Sequence, residues 1–361
     1  MSDVKDESVD LIVTSPPYPM IEMWDSVFNA LNPRVGEVLA DHNGDRAFEI
    51  MHQELDKTWA ESFRVLKQGG FACINIGDAT RTVGNRFQLY SNHARISMAF
   101  KRIGFDTLPV IVWRKQTNAP NKFMGSGTLP SGAYVTLEHE YILVFRKGAK
   151  RVFENQEAKL RRQRSAFFWE ERNRWFSDVW FDLKGVSQDT NDEGVRKRSA
   201  AFPFELAYRL VNMYSIHLDL VLDPFLGTGT TLIAAVAACR NSIGIEIDQA
   251  FEKHIVKNAT TSTNGLNRRI YQRFSEHFEF VNQYQSTKGP LKHVSKNYRF
   301  PVMTRQETEM EIPYVESIAH DDKNLISARY SEPAMLPATA AVTFAQPKAA
   351  KEQPGQLTLA F

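Results

Sequence analysis

Apolar and polar positions follow two rhythms along this chain. An apolar run from Val9 to Thr14 ends in Ser-Pro-Pro. Its length predicts a buried strand, and the prolines, which cannot donate to a ladder, force a turn after it. From Glu22 to Leu66 the spacing becomes helical: Phe48, Met51, Leu55, Trp59 and Phe63 recur three or four positions apart. Gly69 and Gly70 predict the stop of that helix, and Phe71 to Ile76 the next strand. The same reading predicts a helix over 89–102 stopped by Gly104, and a strand over 108–113. A loop rich in Asn, Gly and Pro follows over 116–132, then a strand over 140–146. After a polar connector at 189–197 come a helix (203–214), a strand (218–222), a glycine turn, a helix (231–238) and a strand (242–247). Strands alternating with helices predict an α/β fold with a mostly parallel sheet covered on both faces. Beyond about Asn264 the periodicity weakens, and 332–351, rich in Ala and Pro, is expected to be a disordered tail.

Composition narrows the function classes. The chain has 361 residues, 43% hydrophobic and 24% charged, enough to bury a core as one large domain or two small ones. Its two cysteines, Cys73 and Cys239, have no neighbours at metal-ligand spacing, so neither a disulfide framework nor a metal site is expected. No leader follows the N-terminus and no apolar run spans a bilayer, so a cytoplasmic enzyme is expected. The net charge of +2 leaves nucleic acid open, because a local patch matters more than the total. Such a patch exists: residues 146–176 hold ten Lys or Arg against four Glu, with six interleaved aromatics. Lys159, Arg161, Arg162 and Arg164 are the candidate phosphate contacts, against the alternative of a solvated helix face. The loop 118–132 is a further candidate to enter a groove.

Val221-Leu222-Asp223-Pro224-Phe225-Leu226-Gly227-Thr228-Gly229-Thr230 reads as a strand, a glycine turn and a helix start. Gly227 and Gly229 allow a sharp bend and close approach to a ligand. Glu246, about twenty residues on at the end of the next strand, sits where an acid accepts hydrogen bonds from ribose hydroxyls. The third glycine of the dinucleotide fingerprint is missing.

Thr14-Ser15-Pro16-Pro17-Tyr18 resembles the (Ser/Asp/Asn)-Pro-Pro-(Tyr/Phe) loop of amino-methyltransferases, and the glycine turn resembles their S-adenosylmethionine site. The catalytic loop precedes the cofactor turn by about 210 residues, with a recognition region between. That permuted order resembles the beta class of DNA amino-methyltransferases. Arg64–Gly70, His139–Phe145 and Ala201–Leu206 are similar to further segments of that class, so the likeness covers roughly 9–260. It implies a Rossmann-like methyltransferase sheet with circularly permuted motifs. The catalytic half would occupy 1–148, a DNA-recognition region 149–198, the cofactor half 199–265, an accessory region 266–330 and the tail 331–361. It also implies S-adenosylmethionine held by Phe202, Pro203, Asp223, Pro224, Phe225, Gly227, Gly229, Thr230 and Glu246.

The chemistry fits the loop. An exocyclic amine is a poor nucleophile because its lone pair is delocalised into the ring. Acceptors on its protons, here Ser15 Oγ and the Pro16 carbonyl, favour the tetrahedral nitrogen, and Pro16 and Pro17 stiffen the loop beforehand. Tyr18 is expected to stack on a base turned out of duplex DNA. In the family, Ser rather than Asp before Pro-Pro is associated with cytosine-N4 and Asp with adenine-N6. The resemblance therefore implies cytosine, with adenine as the alternative and a DNA-binding protein with an inactive fold as a third reading. Neither cysteine follows a proline, which argues against cytosine-C5 chemistry.

Two features stand apart. The family's Gly-Asp segment before the catalytic strand is not among the eight residues ahead of Val9; either another part covers the cofactor's adenine or the start is truncated. Gln356-Leu357-Thr358-Leu359-Ala360-Phe361 resembles peptides that bind the bacterial replication sliding clamp, a candidate partner beside DNA.

Overall fold

The computed structural model describes residues 1–115, 124–125, 128–184, 202–321 and 325–332. Gln356–Phe361 and the linker before it, most of the 118–132 loop and the connector at 189–197 lie outside them.

Seven strands make the main path of the central sheet: β1 (Val9–Thr14), β2 (Leu66–Ile76), β3 (Ile111–Arg114), β4 (His139–Arg146), β5 (Val179–Trp180), β6 (Leu220–Asp223) and β7 (Asn241–Gly244). Their order is β5-β3-β4-β2-β1-β6-β7, and a two-residue strand, Asp106–Thr107, pairs beside β4. Only β4 runs against its neighbours throughout, as its antiparallel pairings show. β1 is buried along its whole length, as a central parallel strand must be.

Helix α1 (Gly44–Val65) starts at Asn43, whose side chain accepts from the Arg46 amide. The helix buries Ile50, Met51, Leu55 and Trp59 on one face. Trp59 is fully buried between Phe100 and Phe225, which stabilises the fold by roughly 2–3 kcal/mol. The glycines do not end this helix, contrary to expectation. It stops at Val65 and Leu66 enters β2 directly. Gly69, at φ 79°, instead sits where the β1–β2 register slips, from Val9↔Leu66 to Leu11↔Phe71. A side chain there would meet the Arg151 backbone at 2.6 Å.

Helix α2 (Asn92–Ile103) does end on a left-handed Gly104, at φ 118°. The stretch before it, expected to begin the helix at Leu89, is a hairpin of Ala79–Val83 with Arg86–Tyr90. Helices α3 (Gln156–Arg164) and α4 (Trp169–Trp175) follow β4, and α5 (Phe204–Tyr214) and α6 (Thr230–Ala237) flank β6. The region of weak periodicity folds into α7 (Glu252–Thr261) and the 26-residue α8 (Thr263–Lys288), then a hairpin of Val315–His320 with Ile326–Tyr330.

Two apolar clusters cover the two faces of the sheet. A third joins Phe168 to Ile270, Phe274, Phe278, Tyr298 and Phe300. The candidate recognition region and the accessory region therefore share one core. Arg273 on α8 locks them, donating to both Glu171 oxygens at 2.6 and 2.7 Å. No helix among the described residues is long and apolar enough to cross a membrane.

Candidate active site

The carboxyl ends of the parallel strands lie along one edge of the sheet, where open α/β sheets bind ligands. β1 and β2 run in register there, with Thr14 beside Ile74, so Ser15 and Asn75 emerge next to each other. Pro16 and Pro17 carry the chain out of the ladder, and the Asn92 amide pins the turn by donating to the carbonyls of Pro19 and Gly77.

Five side chains meet at this end. Tyr18 Oη donates to Glu140 Oε2 at 3.0 Å. Asn75 Nδ2 donates to Tyr18 Oη at 2.9 Å and to Glu140 Oε2 at 2.7 Å. Lys115 Nζ donates to Glu140 Oε1 at 2.7 Å. Ser15 Oγ lies 3.0 Å from Tyr18 Oη. The phenol has one proton, and an ionised carboxylate can only accept it. Ser15 must therefore donate to Tyr18, which leaves its own lone pairs free. Tyr18 is 8% exposed, and burial followed by the Glu140 charge holds its hydroxyl well above the usual tyrosine range. It stays protonated.

The motif pointed to Ser15, Pro16, Pro17 and Tyr18. Asn75, Lys115 and Glu140 were missed. The available signal was polarity in the wrong place: an amide closing the apolar run of β2 and a carboxylate inside β4.

On the cofactor side, Gly227 and Gly229 both adopt left-handed backbone, at φ 53° and 88°. A side chain added at Gly227 would meet nothing within 4 Å, so the turn opens onto free space. Glu246, just beyond β7, reaches back to it. Oε2 accepts from the Gly227 amide at 2.8 Å and Oε1 from the Asp248 amide at 2.9 Å. β7 itself ends at Gly244, earlier than the expected 247. A cleft of about 880 Å³ runs from this turn along β7 and α7 to the terminal hairpin, lined by Leu226, Gly244, Glu246, Ile255 and Tyr330 among others. It does not include the catalytic loop.

The other expected cofactor residues divide. Thr230 begins α6 half-buried, while Pro224, Phe202 and Pro203 are buried, the last capping α5. Phe225 points into the core against Trp59, ring centroids 5.8 Å apart. Asp223 faces inward too. It accepts from Thr14 Oγ1 at 2.5 Å, Thr231 Oγ1 at 2.6 Å and the Phe225 amide at 3.0 Å. Burial pushes its carboxyl up to about 6 against those hydrogen bonds. In this arrangement Asp223 braces the turn and offers no oxygen to a ligand.

The basic stretch lies apart from the catalytic loop. β4 runs against its neighbours, so the chain leaves it at Arg146, opposite the start of β2 and away from the catalytic loop. Arg151 then binds Asp219 and Asp10 at the amino ends of β6 and β1. On α3, Arg164 pairs with Glu311 at 3.0 Å, Arg162 lies over Phe153 and Arg161 is half-buried; Lys159 is exposed. None of the four joins the catalytic loop. Of the aromatics, Phe168 and Trp175 are core residues, while Trp169 and Phe176 are exposed.

Both cysteine thiols are raised by burial, Cys239 to about 12, so neither is a ready nucleophile. Among the described residues no group of His, Cys, Asp or Glu is arranged to hold a metal.

Comparison with known proteins gives the family. The profile of the N6/N4 DNA methylases matches residues 9–257, more than half of the chain, which therefore belongs to that family. The Type II methyltransferase M.MthZI of Methanothermobacter thermautotrophicus is 51% identical over 333 residues, 92% of each chain. M.MjaI of Methanocaldococcus jannaschii, also a Type II methyltransferase, is 48% identical over 263 residues, 70% of this chain and 85% of that one. A putative DNA modification methylase of Thermus thermophilus, solved with S-adenosyl-L-methionine bound, superposes with TM-score 0.55 at 32% identity, covering 72% of this chain and 88% of that one. The cofactor is S-adenosylmethionine. The open glycine turn with Glu246 beside it fits that group: backbone approaches closely, and a carboxylate stands ready for ribose hydroxyls.

Proposed function

We propose that this DNA methylase acts on the N4 amino group of cytosine in double-stranded DNA, on a base turned out of the helix. The proposed biological role is as the modification partner of a restriction enzyme, in line with the Type II relatives. Ser15 rather than Asp before Pro-Pro carries the choice of cytosine, and one further observation carries the chemistry at the amine. The Tyr18–Glu140–Asn75 network fixes the direction of the Ser15 hydroxyl, so that its lone pairs are available to an incoming amine.

When bound, the cofactor supplies a methyl group on an electrophilic sulfonium. The chain does the rest by positioning. Ser15 Oγ and the Pro16 carbonyl accept the amine's protons and draw the nitrogen toward a tetrahedral shape. Tyr18, anchored at its hydroxyl, offers the base a ring that cannot swing away. Thr14 and Asp223 tie this loop to the cofactor turn, so the nucleophile and the methyl group are held to one frame. Glu246 and the Gly227 turn would hold the ribose end.

Duplex DNA would approach the edge bearing these loops rather than α3. The hairpin at 79–90 and the segment around Tyr134 flank that edge and present Phe87 and Tyr134, stacked 4.9 Å apart and both exposed. Adenine-N6 is the second reading, since the same acceptors suit either amine. Mass analysis of nucleosides from DNA methylated by the pure protein separates them. N4-methylcytosine supports the first reading and N6-methyladenine replaces it with the second.

A further inference from the structure

Methylating an amine releases a proton. As the new carbon–nitrogen bond forms, the nitrogen gains positive charge, and it returns to neutrality only by losing a hydrogen. A serine hydroxyl accepts a hydrogen bond but is too weak a base to keep a proton, so the proton needs a route to a better acceptor.

The site holds such a route, and its direction is set. Ser15 Oγ lies 3.0 Å from Tyr18 Oη, which lies 3.0 Å from Glu140 Oε2. An ionised carboxylate can only accept, so the Tyr18 proton points at Glu140. Asn75 Nδ2 donates to Tyr18 Oη at 2.9 Å and to Glu140 Oε2 at 2.7 Å, which keeps the phenol from turning its proton back. Ser15 then donates to Tyr18, and both hydroxyls point from the loop toward Glu140. The row is buried: Tyr18 is 8% exposed and Glu140 9%. Gly77 packs on the Tyr18 ring, where an added side chain would come within 3.1 Å. Glu140 is faced by Tyr18 from the loop, by Asn75 from β2 and by Lys115 from the end of β3. Lys115 Nζ donates to Glu140 Oε1 at 2.7 Å, and its half-exposed side chain brings the row to the surface.

Neither hydroxyl is a resting place for the charge. Burial and the Glu140 carboxylate hold the Tyr18 hydroxyl well above the usual tyrosine range, so Tyr18 gives up its proton only as it receives another. Glu140 is the first group in the row able to keep one.

We propose that Ser15, Tyr18 and Glu140 form a proton relay that carries the amine's hydrogen to the Glu140 carboxylate, with Asn75 and Lys115 as the positioning residues that fix its direction. The inference rests on the reading that Ser15 binds the amine. The step balances. A carbon–nitrogen bond forms, the cofactor's sulfur–methyl bond breaks and one N–H bond breaks. The released proton goes to Ser15 Oγ, the serine's own to Tyr18 Oη and the tyrosine's own to Glu140 Oε2. Both hydroxyls end neutral, and the positive charge of the sulfonium and the negative charge of the carboxylate are lost together. Glu140 then returns its proton to water beside Lys115.

The test is single-turnover methyl transfer by the full chain at saturating cofactor and DNA, in H2O and in D2O. Wild type is expected to be slower in D2O, with a curved dependence on the deuterium fraction because more than one proton moves. Tyr18→Phe keeps the ring and removes the middle hydroxyl. Its rate is expected to fall on the order of 10²-fold and to lose most of the D2O effect. Its cofactor and DNA dissociation constants are expected to stay within about twofold of wild type. Glu140→Gln is expected to behave alike, and Glu140→Asp, which keeps a carboxylate, to recover part of the rate and of the D2O effect. Thermal melting reports whether each variant is folded, and Tyr18→Phe decides the matter if the Glu140 variants are not. A wild-type rate that is the same in both solvents, or Tyr18→Phe at the wild-type rate, overturns the proposal. So does a slowed Tyr18→Phe that keeps the full D2O effect, which would mark the hydroxyl as packing alone. If Ser15→Ala transfers methyl as fast as wild type, the underlying reading of Ser15 falls instead.

Discussion

Thr14 Oγ1 donates to Asp223 Oδ1 at 2.5 Å across two neighbouring buried strands, which joins the last residue of the catalytic strand to the first support of the cofactor turn. Thr231 Oγ1 completes the brace from α6, donating to Asp223 Oδ2. Two segments 209 residues apart in sequence thus share one carboxylate. On the proposed function, that joint would hold the two loops to one frame.

The brace has a pH signature. Burial raises the Asp223 carboxyl from its ordinary 3.8 to about 6. A group raised on folding contributes stability below its unfolded value and loses it as pH climbs through the folded one. Asp223→Asn keeps the shape without titrating. The melting temperature of wild type relative to Asp223→Asn is expected to decline as pH rises from about 4 to 7. A difference that is flat over that window would place the charge elsewhere.

Removing the acceptor at Ser15 acts on chemistry. Ser15→Ala is expected to slow methyl transfer about 10²-fold while cofactor affinity, measured by calorimetry, stays within a factor of about two. Tyr18→Ala removes the stacking ring and is expected to weaken binding of a duplex with the target base unpaired by about 1–3 kcal/mol.

Glu246 is expected to divide the other way. Both its oxygens are engaged with backbone amides at the turn, at 2.8 and 2.9 Å, and a ribose would compete for or share them. Glu246→Ala is expected to raise the cofactor dissociation constant on the order of 10- to 100-fold, with DNA affinity measured without cofactor unchanged.

The basic face of α3 provides a contrast. Replacing both Lys159 and Arg162 with Ala is expected to leave DNA affinity and its dependence on salt unaltered, because α3 follows the strand end farthest from the catalytic loop. A phosphate contact at either position would instead reduce the salt slope by about one per residue lost.

Much of this was legible in the chain. β1 spans the Val9–Thr14 run, and the α2 stop at Gly104, α5 and α6 agree with their patterns to within a few residues. The two candidate loops were readable because each is a short contiguous motif. Asn75 and Glu140 were not: they stand 57 and 122 residues from Tyr18, and only strand pairing brings them to it. The direction of β4 was equally hidden, since an apolar run such as Tyr141–Phe145 looks the same in either orientation. That one reversal sends the basic segment to the far end of the sheet. The hairpin at 79–90 was masked by polar residues on both its faces. Helix α8 was missed because part of its buried face is polar, with Arg273 and His277 paired to Glu171 and Glu170.

The central claim is that the Ser15 loop methylates a DNA amino group. The most direct measurement is single-turnover transfer of labelled methyl from S-adenosylmethionine to duplex DNA by wild type and Ser15→Ala, followed by digestion to nucleosides. The expected result is label in N4-methylcytosine, formed about 10²-fold more slowly by the variant. Equal rates for the two proteins, or label in 5-methylcytosine or in no nucleoside at all, would contradict it.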